Sequence, residues 1–474
     1  RKNIEIWSKY DQFGWAKDYV YGIEADYRLV KTTKVSSFLN GDGEANIIRA
    51  NGLDHFVKSK DFRGKLKEVS KENQLDNEQF DILIANPPYS VAAFKSTVKY
   101  GDESFELYNR LTDNSSEIEC LFLERTKQLL KVGGWAGVIL PSSILSNTGI
   151  YTATREILLK NFYIKAITEF GSNTFMATGT NTVTLFLERR PNNDWHSIQN
   201  AINLFFDRPK DVTVLGIEKA FSKYVNEVFE DINFDDYISL IQEKPNDKIK
   251  SLELYNDYII WFNNLTEIKN LKDKKAFKEL PLKEQQIKLD KLFYDKVFEI
   301  EKDKILYFLL AYHQKTVIVK VGEKQEEKNF IGYEFSNRRG HEGIKMLPNG
   351  TKLYDEDNQL NPHKANSYIY KSFLNEKISI NDTMRKNVSF TDLICMMNFD
   401  KVEFEKGISL NSKKKIKLAS KYELKKLGEV CDVRDGTHDS PKFYNEGYPL
   451  ITSKNITSGF LDFKNVKYIS KEDF

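Results

Sequence analysis

Hydrophobic and polar positions change rhythm most sharply at Asp81-Ile82-Leu83-Ile84-Ala85-Asn86-Pro87-Pro88-Tyr89-Ser90. The short apolar run predicts a parallel strand buried on both faces, stopped where two prolines supply no ladder donors. Upstream, Ile4, Ile6, Trp7, Tyr10 and Trp15 lie near helical spacing, and Tyr19-Val20-Tyr21-Gly22-Ile23 turns strand-like before Glu24. Asp26 to Leu39 predicts a helix closed by Asn40-Gly41-Asp42-Gly43, and Asn46 to Ala50 a strand ending at Asn51-Gly52-Leu53. Downstream of Tyr89, a polar segment to Asp113 has the length of a mobile loop near a ligand. Ile118, Leu121, Phe122 and Leu129 then form a helical face ended by Gly133-Gly134. Trp135 to Leu140, Ile164 to Phe170 and Thr182 to Leu187 read as three further strands.

From Asn200 to about Asp303 the pattern is helical and charged, as in Leu282 to Lys296, and reads as a solvated face without chemistry. Lys315 to Gly322 alternates as a strand, and Pro348-Asn349-Gly350-Thr351 is a hairpin signal. Ser336-Asn337-Arg338-Arg339-Gly340-His341 reads equally as a phosphate-contacting loop or a plain surface loop. His313 and His341, with no companions at ligand spacing, read as structural. A basic linker around Ser412-Lys413-Lys414-Lys415-Ile416-Lys417 precedes a last patterned stretch from Tyr422. The expected organisation is therefore 1–195, 196–411, a linker 412–421 and 422–474.

Composition narrows the classes. Formal net charge is only +2 although 30% of residues are charged, so a nucleic-acid surface must come from local clustering. Cys120, Cys395 and Cys431 stand far apart without metal-ligand spacing, which points to a reducing, cytoplasmic setting with no metal site. No apolar run approaches the ~18 residues of a membrane span.

The candidate chemistry sits at the predicted strand end, where open α/β sheets bind ligands. Asn86 can accept a hydrogen bond from an exocyclic amino group, a carbonyl of the proline turn can accept another, and Tyr89 can stack on a flat ring. The plain alternative is a buried strand ending in a proline turn with a surface tyrosine. Asn86-Pro87-Pro88-Tyr89 resembles the catalytic motif of S-adenosyl-L-methionine-dependent amino-group methyltransferases, with adenine-N6 DNA methyltransferases the best match. That resemblance implies a doubly wound, Rossmann-like α/β sheet whose last strand pair is antiparallel. It implies catalytic roles for Asn86, Pro87, Pro88 and Tyr89, and cofactor contacts from Glu24, Asn51 and Asn86. Glu24 matches the acidic residue that binds ribose hydroxyls. Asn51 stands where the family often has Asp against the cofactor's adenine, and Phe175 and Thr180-Asn181-Thr182 recur near the base pocket. The glycine-rich loop expected about 20 residues before Glu24 is not found, with only Gly14 in that interval, so the first strand and its loop are expected upstream of Arg1.

The stretch Tyr422 to Val430, with Arg434-Asp435-Gly436-Thr437-His438-Asp439-Ser440-Pro441 and Tyr448 to Gly459, resembles the opening of a target-recognition domain of type I specificity subunits. There Lys454 and Asn455 offer phosphate and base-edge donors. Together the two resemblances imply a fused modification and specificity polypeptide of type I-like or type IIG restriction-modification systems. The implied partners are double-stranded DNA with a flipped adenine and a restriction subunit carrying nuclease or translocase activity. Release-factor glutamine and RNA guanine-N2 methyltransferases share the tetrapeptide but not the tail. A decayed DNA-binding remnant is a non-enzymatic alternative. Cytosine-N4 is the less expected target, since that branch usually has Ser where Asn86 stands.

Overall fold

The computed structural model describes residues 15–41, 46–62, 64–66, 77–171, 174, 181–229, 231–336, 343–411, 442–452, 455–457, 460, 461, 463 and 466–471. The chain separates into two compact units, Arg1–Lys414 and Lys415–Phe474. In the first, a short helix α1 (Trp15–Tyr19) leads into β1 (Tyr21–Glu24), helix α2 (Tyr27–Leu39) and β2 (Asn46–Arg49), and β1 and β2 pair in parallel. Asp26 starts α2 as its N-cap, accepting from the Arg28 and Leu29 N–H groups.

A mixed six-stranded sheet follows in the order β10-β7-β5-β6-β4-β3. Its strands are β3 (Phe80–Ala85), β4 (Leu130–Pro141), β5 (Phe162–Phe170), β6 (Thr182–Arg189), β7 (Lys315–Lys320) and β10 (Val388–Asp392). β3 and β4 are parallel, and β6 runs antiparallel between β4 and β5, as the family resemblance implied. Gly134 is required where β4 passes the start of β3, because a Cβ there would lie 3.0 Å from the Asp81 carbonyl oxygen. The regions expected on either side of residue 195 share this sheet, since β7 pairs in parallel with β5.

The expectation that β3 is buried on both faces is corrected. Helix α3 (Ile118–Leu129) covers Leu83 and Ala85, but Ile82 is 66% and Ile84 86% exposed, because no described element covers their face or pairs with the outer edge of β3. The polar segment after Tyr89 is not a loose loop either. Phe94, Val98, Phe105, Leu107 and Leu111 are buried, so its few apolar residues wrap it onto α3. The charged helical stretch is likewise more than a solvated face. Helix α9 (Leu282–Ala311) buries Glu301, Lys304 and everything from Ile305 to Ala311, with α5 (Asp194–Asp207), α6 (Ala220–Val228), α7 (Phe234–Ile241) and α8 (Glu253–Asn264) contributing to the same core.

Pro348-Asn349-Gly350-Thr351 turns the chain after a hairpin rather than within one. The paired strands are β8 (Tyr333–Ser336) and β9 (Gly343–Met346), which end before it. The second unit is described over β11 (Tyr448–Leu450) paired antiparallel with β14 (Lys467–Ile469), and a small ladder β12 (Ile456–Thr457) with β13 (Phe460–Leu461). The recognition-like residues from Tyr422 to Pro441, and Lys454, lie outside the described residues. Asn455 is buried, and its Oδ1 accepts from the Thr452 N–H and hydroxyl.

Candidate active site

Asn86 is the first residue beyond β3, at the carboxyl edge of the parallel pair β3–β4, and its side chain is exposed with no hydrogen bond among the described residues. Pro87 is buried and anchors the turn, Pro88 is exposed and Tyr89 is half-buried. Neither proline has an N–H, so the turn offers carbonyl acceptors without competing donors. An exposed amide beside bare carbonyls can accept two hydrogen bonds from one amino group, while the Tyr89 ring supplies a flat apolar surface.

Ser90 leaves the turn at φ 56°, a left-handed conformation that costs an L residue about 1–2 kcal/mol. Its N–H donates to Glu119 Oε2 at 3.3 Å. Glu119 is only 1% exposed, and its other oxygen accepts from the Tyr151 hydroxyl at 2.7 Å, across from helix α4 (Ile150–Asn161). A hydrogen bond to a carboxylate contributes about 1.5–3 kcal/mol, the same order as the cost of the Ser90 conformation. Burial pushes the Tyr151 pKa up, and the hydrogen bond to Glu119 adds to it, so the hydroxyl stays a donor.

The loop after β2 is fastened to the same region. Asn51 Oδ1 accepts from the Leu53 N–H at 3.1 Å, and its Nδ2 donates to the Thr97 carbonyl at 3.2 Å, downstream of the tetrapeptide. Buried Asp54 accepts from the Lys99 N–H at 2.9 Å. Arg125 of α3 donates to the Leu53 and Asp54 carbonyls and lies against the Phe56 and Phe105 rings, where burial lowers its pKa to about 9. Glu24 lies at the same end of the β1–β2 pair as Asn51, since the Ala50 N–H donates to the Glu24 carbonyl at 3.1 Å. Glu24 Oε1 accepts from the Asp26 N–H at 2.7 Å.

These residues fit a nucleoside-bearing cofactor in part. Among the described residues the second Glu24 carboxylate oxygen accepts no hydrogen bond, so it could meet a ribose hydroxyl. Asn51 has one of its two amide N–H donors in use and retains one acceptor lone pair on Oδ1. Asn51 is thus brought to the segment that follows the tetrapeptide, whereas Glu24 has no hydrogen bond to it. Phe175, Thr180 and the basic loop 337–341 lie outside the described residues. A cavity of about 1060 Å³, lined by Lys165, Arg190 and Gln314, opens at the opposite end of the strands, where β5 and β7 begin. A smaller one of about 440 Å³, lined by Phe170, Gly171, Asn181, Lys320 and Glu327, lies at the carboxyl ends of β5 and β7, beside the start of β6. Among the described residues no group of three or more His, Cys, Asp or Glu could hold a metal ion, and no helix is long and apolar enough to cross a membrane.

Sequence reasoning missed Glu119, Tyr151, Asp54 and Arg125. An acidic residue in the first turn of a helix looks like an ordinary complement to the helix dipole, and nothing local marks it as buried.

Comparison with known proteins adds an independent line. The chain is 25% identical over 254 residues to the type II restriction enzyme and methyltransferase RM.Eco57I of Escherichia coli, which covers 49% of this chain and 24% of that protein. It is 25% identical over 173 residues to the type I restriction enzyme MpnII methylase subunit of Mycoplasma pneumoniae, covering 36% of this chain and 30% of the relative. The chain therefore spans between about a fifth and a third of the length of the curated relatives it matches. Among solved structures, the type I restriction-modification methyltransferase subunit from Streptococcus thermophilus aligns over 36% of this chain and 34% of its own, at 19% identity and a TM-score of 0.29. Residues 18–175, which hold Glu24, Asn51, the tetrapeptide and Glu119, match the model of the Eco57I restriction-modification methylase family.

Proposed function

We propose that this chain is the modification part of a restriction-modification protein, transferring a methyl group from S-adenosyl-L-methionine to adenine N6 in DNA. The observation that carries the reading is the exposed Asn86 and half-buried Tyr89 at the carboxyl end of a parallel strand, within the segment matched to the methylase family. When bound, the cofactor supplies an electrophilic sulfonium methyl. Asn86 Oδ1 and a carbonyl of the Pro87-Pro88 turn accept the two N6 hydrogens, which raises electron density on the nitrogen and fixes its direction of attack. Tyr89 stacks on the base once it has left the duplex. The N6–methyl bond forms as the sulfonium–methyl bond breaks, and the departing amino proton goes to solvent. Glu24 and Asn51 hold the ribose and adenine ends of the cofactor, and a first strand with its glycine-rich loop, supplied ahead of β1, holds the methionine end. The unit 415–474 supplies part of the sequence reading, and a restriction subunit is the partner in the cell.

The test is tritiated methyl incorporation into DNA, with nucleoside mass spectrometry to name the product. N6-methyladenine is expected, and Asn86→Ala should lower incorporation at least about 100-fold while DNA binding stays within about twofold. N4-methylcytosine as the product, or an undiminished Asn86→Ala enzyme, overturns the reading.

A further inference from the structure

The Asn86–Tyr89 turn is followed by a residue that L-amino acids rarely tolerate in that conformation, Ser90 at φ 56°, so something outside the turn must hold it. The Ser90 N–H points to Glu119 Oε2 at 3.3 Å. Glu119 is buried in the first turn of α3, and among the described residues no cation lies within ion-pair distance of it. Its donors are the Ser90 N–H and the Tyr151 hydroxyl at 2.7 Å. The Tyr151 hydroxyl also lies near Ser143, in the 3-10 turn Ser142–Leu145 that follows β4, which opposes the upward push of burial on its pKa. Two hydrogen bonds through one buried carboxylate therefore join the turn after β3 to the first turn of α4. A carboxylate without a counter-cation is costly to bury and does little for stability, so its place here is better accounted for by the geometry it enforces.

We infer that Glu119 is the positioning residue of the Asn-Pro-Pro-Tyr turn, with Tyr151 as its anchor. This rests on the methyl-transfer reading above and adds to it how the turn is kept aligned. Without Glu119, Ser90 relaxes out of the left-handed region and carries Tyr89 and the turn carbonyls with it. Gln at 119 keeps an acceptor for the Ser90 N–H, and its amide can donate to the Tyr151 oxygen.

The experiment compares the full chain with Glu119→Ala, Glu119→Gln and Tyr151→Phe by two readouts, hydrogen exchange of the Ser90 amide and the kcat and KM of DNA methylation. Glu119→Ala should speed Ser90 exchange at least about tenfold, with exchange in β4 unchanged, and lower kcat up to about 100-fold with little change in KM. Glu119→Gln should recover most of kcat, and Tyr151→Phe, which leaves the carboxylate in place, should fall between. If Glu119→Ala does not fold, an intermediate loss in Tyr151→Phe still supports the role and a wild-type Tyr151→Phe overturns it. A wild-type chain that methylates no DNA at saturating S-adenosyl-L-methionine strikes at the proposed reaction and leaves Ser90 exchange to decide the positioning role. Unchanged exchange in Glu119→Ala overturns that role whatever the activity, as does an active wild type whose kcat Glu119→Ala retains.

Discussion

Glu124 lies one turn and a half along α3 from Glu119, and its oxygens accept from the N–H groups of Glu106 and Leu107 at 2.7 and 3.2 Å. Burial outweighs those bonds and lifts its pKa to about 7. A carboxyl whose folded pKa lies above its unfolded value is stabilising in its protonated form. Its contribution is full below the ordinary carboxylate pKa and is lost as pH rises towards 7. The shift corresponds to about 3 kcal/mol, so between pH 5 and pH 8 this one group should weaken the fold by an amount of that order. Urea midpoints at the two pH values should show the loss, and Glu124→Gln should flatten the slope; an equal slope in the variant would assign it to other groups. Asn86 to Tyr89 could be found from sequence because an amide, two prolines and an aromatic ring in succession have few structural uses. Glu119, Glu124, Arg125 and Gln128 could not, since beside Ile118, Leu121 and Leu129 they look like the wet side of an amphipathic helix. Residues 104–107 meet Glu124, Arg125 and Gln128, the loop after β2 meets Arg125, and Ser90 and Tyr151 meet Glu119, through contacts that leave no local period in the sequence.

Helix α9 shows the same effect over a whole element. Its first half fits the solvated, charge-laced pattern, but Glu301 sits at 0% exposure and accepts the hydroxyls of Tyr224, Tyr237 and Tyr258 at 3.0, 2.7 and 2.5 Å. Lys304 lies 3.5 Å from the same carboxylate and donates to the Tyr258 oxygen at 2.7 Å. One acidic side chain therefore ties α6, α7 and α8 to α9, and burial pushes all three tyrosine pKa values well above the ordinary range. Removing it leaves three hydroxyls and a lysine buried without their acceptor. Glu301→Ala should cost about 3–5 kcal/mol, read as a lowered denaturant midpoint, whereas a loss below about 1 kcal/mol would mean that water or rearranged tyrosines replace the carboxylate. Strands were easier to read than this helical core. β3, β5, β6 and β7 fall where apolar runs stop at proline, glycine or polar residues, with ends shifted by one or two residues, whereas β4 begins at Leu130 directly after α3, so Gly133-Gly134 lie within the strand and do not end the helix. The hairpin signal at Pro348 misled because a turn sequence specifies chain reversal and not which strands pair across it.

At the scale of the molecule, the parallel pair β1–β2 and the six-stranded sheet stay separate, although both contribute to one apolar cluster. Ile48 of β2, Leu129 of α3 and the partly buried Ile23 and Leu83 pack together, and the Tyr21 and Phe80 rings meet edge-on at 5.2 Å. Between them β3 shows an unpaired edge among the described residues, with Ile82 and Ile84 in solvent, and α2 leaves Leu29, Val35, Phe38 and Leu39 exposed. An apolar strand edge beside a second parallel pair is the arrangement that one more parallel strand would complete, and burying each isoleucine contributes about 1.5–3 kcal/mol. A strand along the edge of β3 that is unpaired among the described residues would occupy the place where the sequence resemblance puts the glycine-rich loop's strand. The chain by itself should bind S-adenosyl-L-methionine weakly through Glu24 and Asn51. A polypeptide in which a strand and glycine-rich loop precede Arg1 should bind at least about tenfold more tightly, with slowed hydrogen exchange along β3. Calorimetric titration of the two proteins decides the matter, and equal affinity with equal exchange would show that the cofactor is held elsewhere than across the gap between β1 and β3.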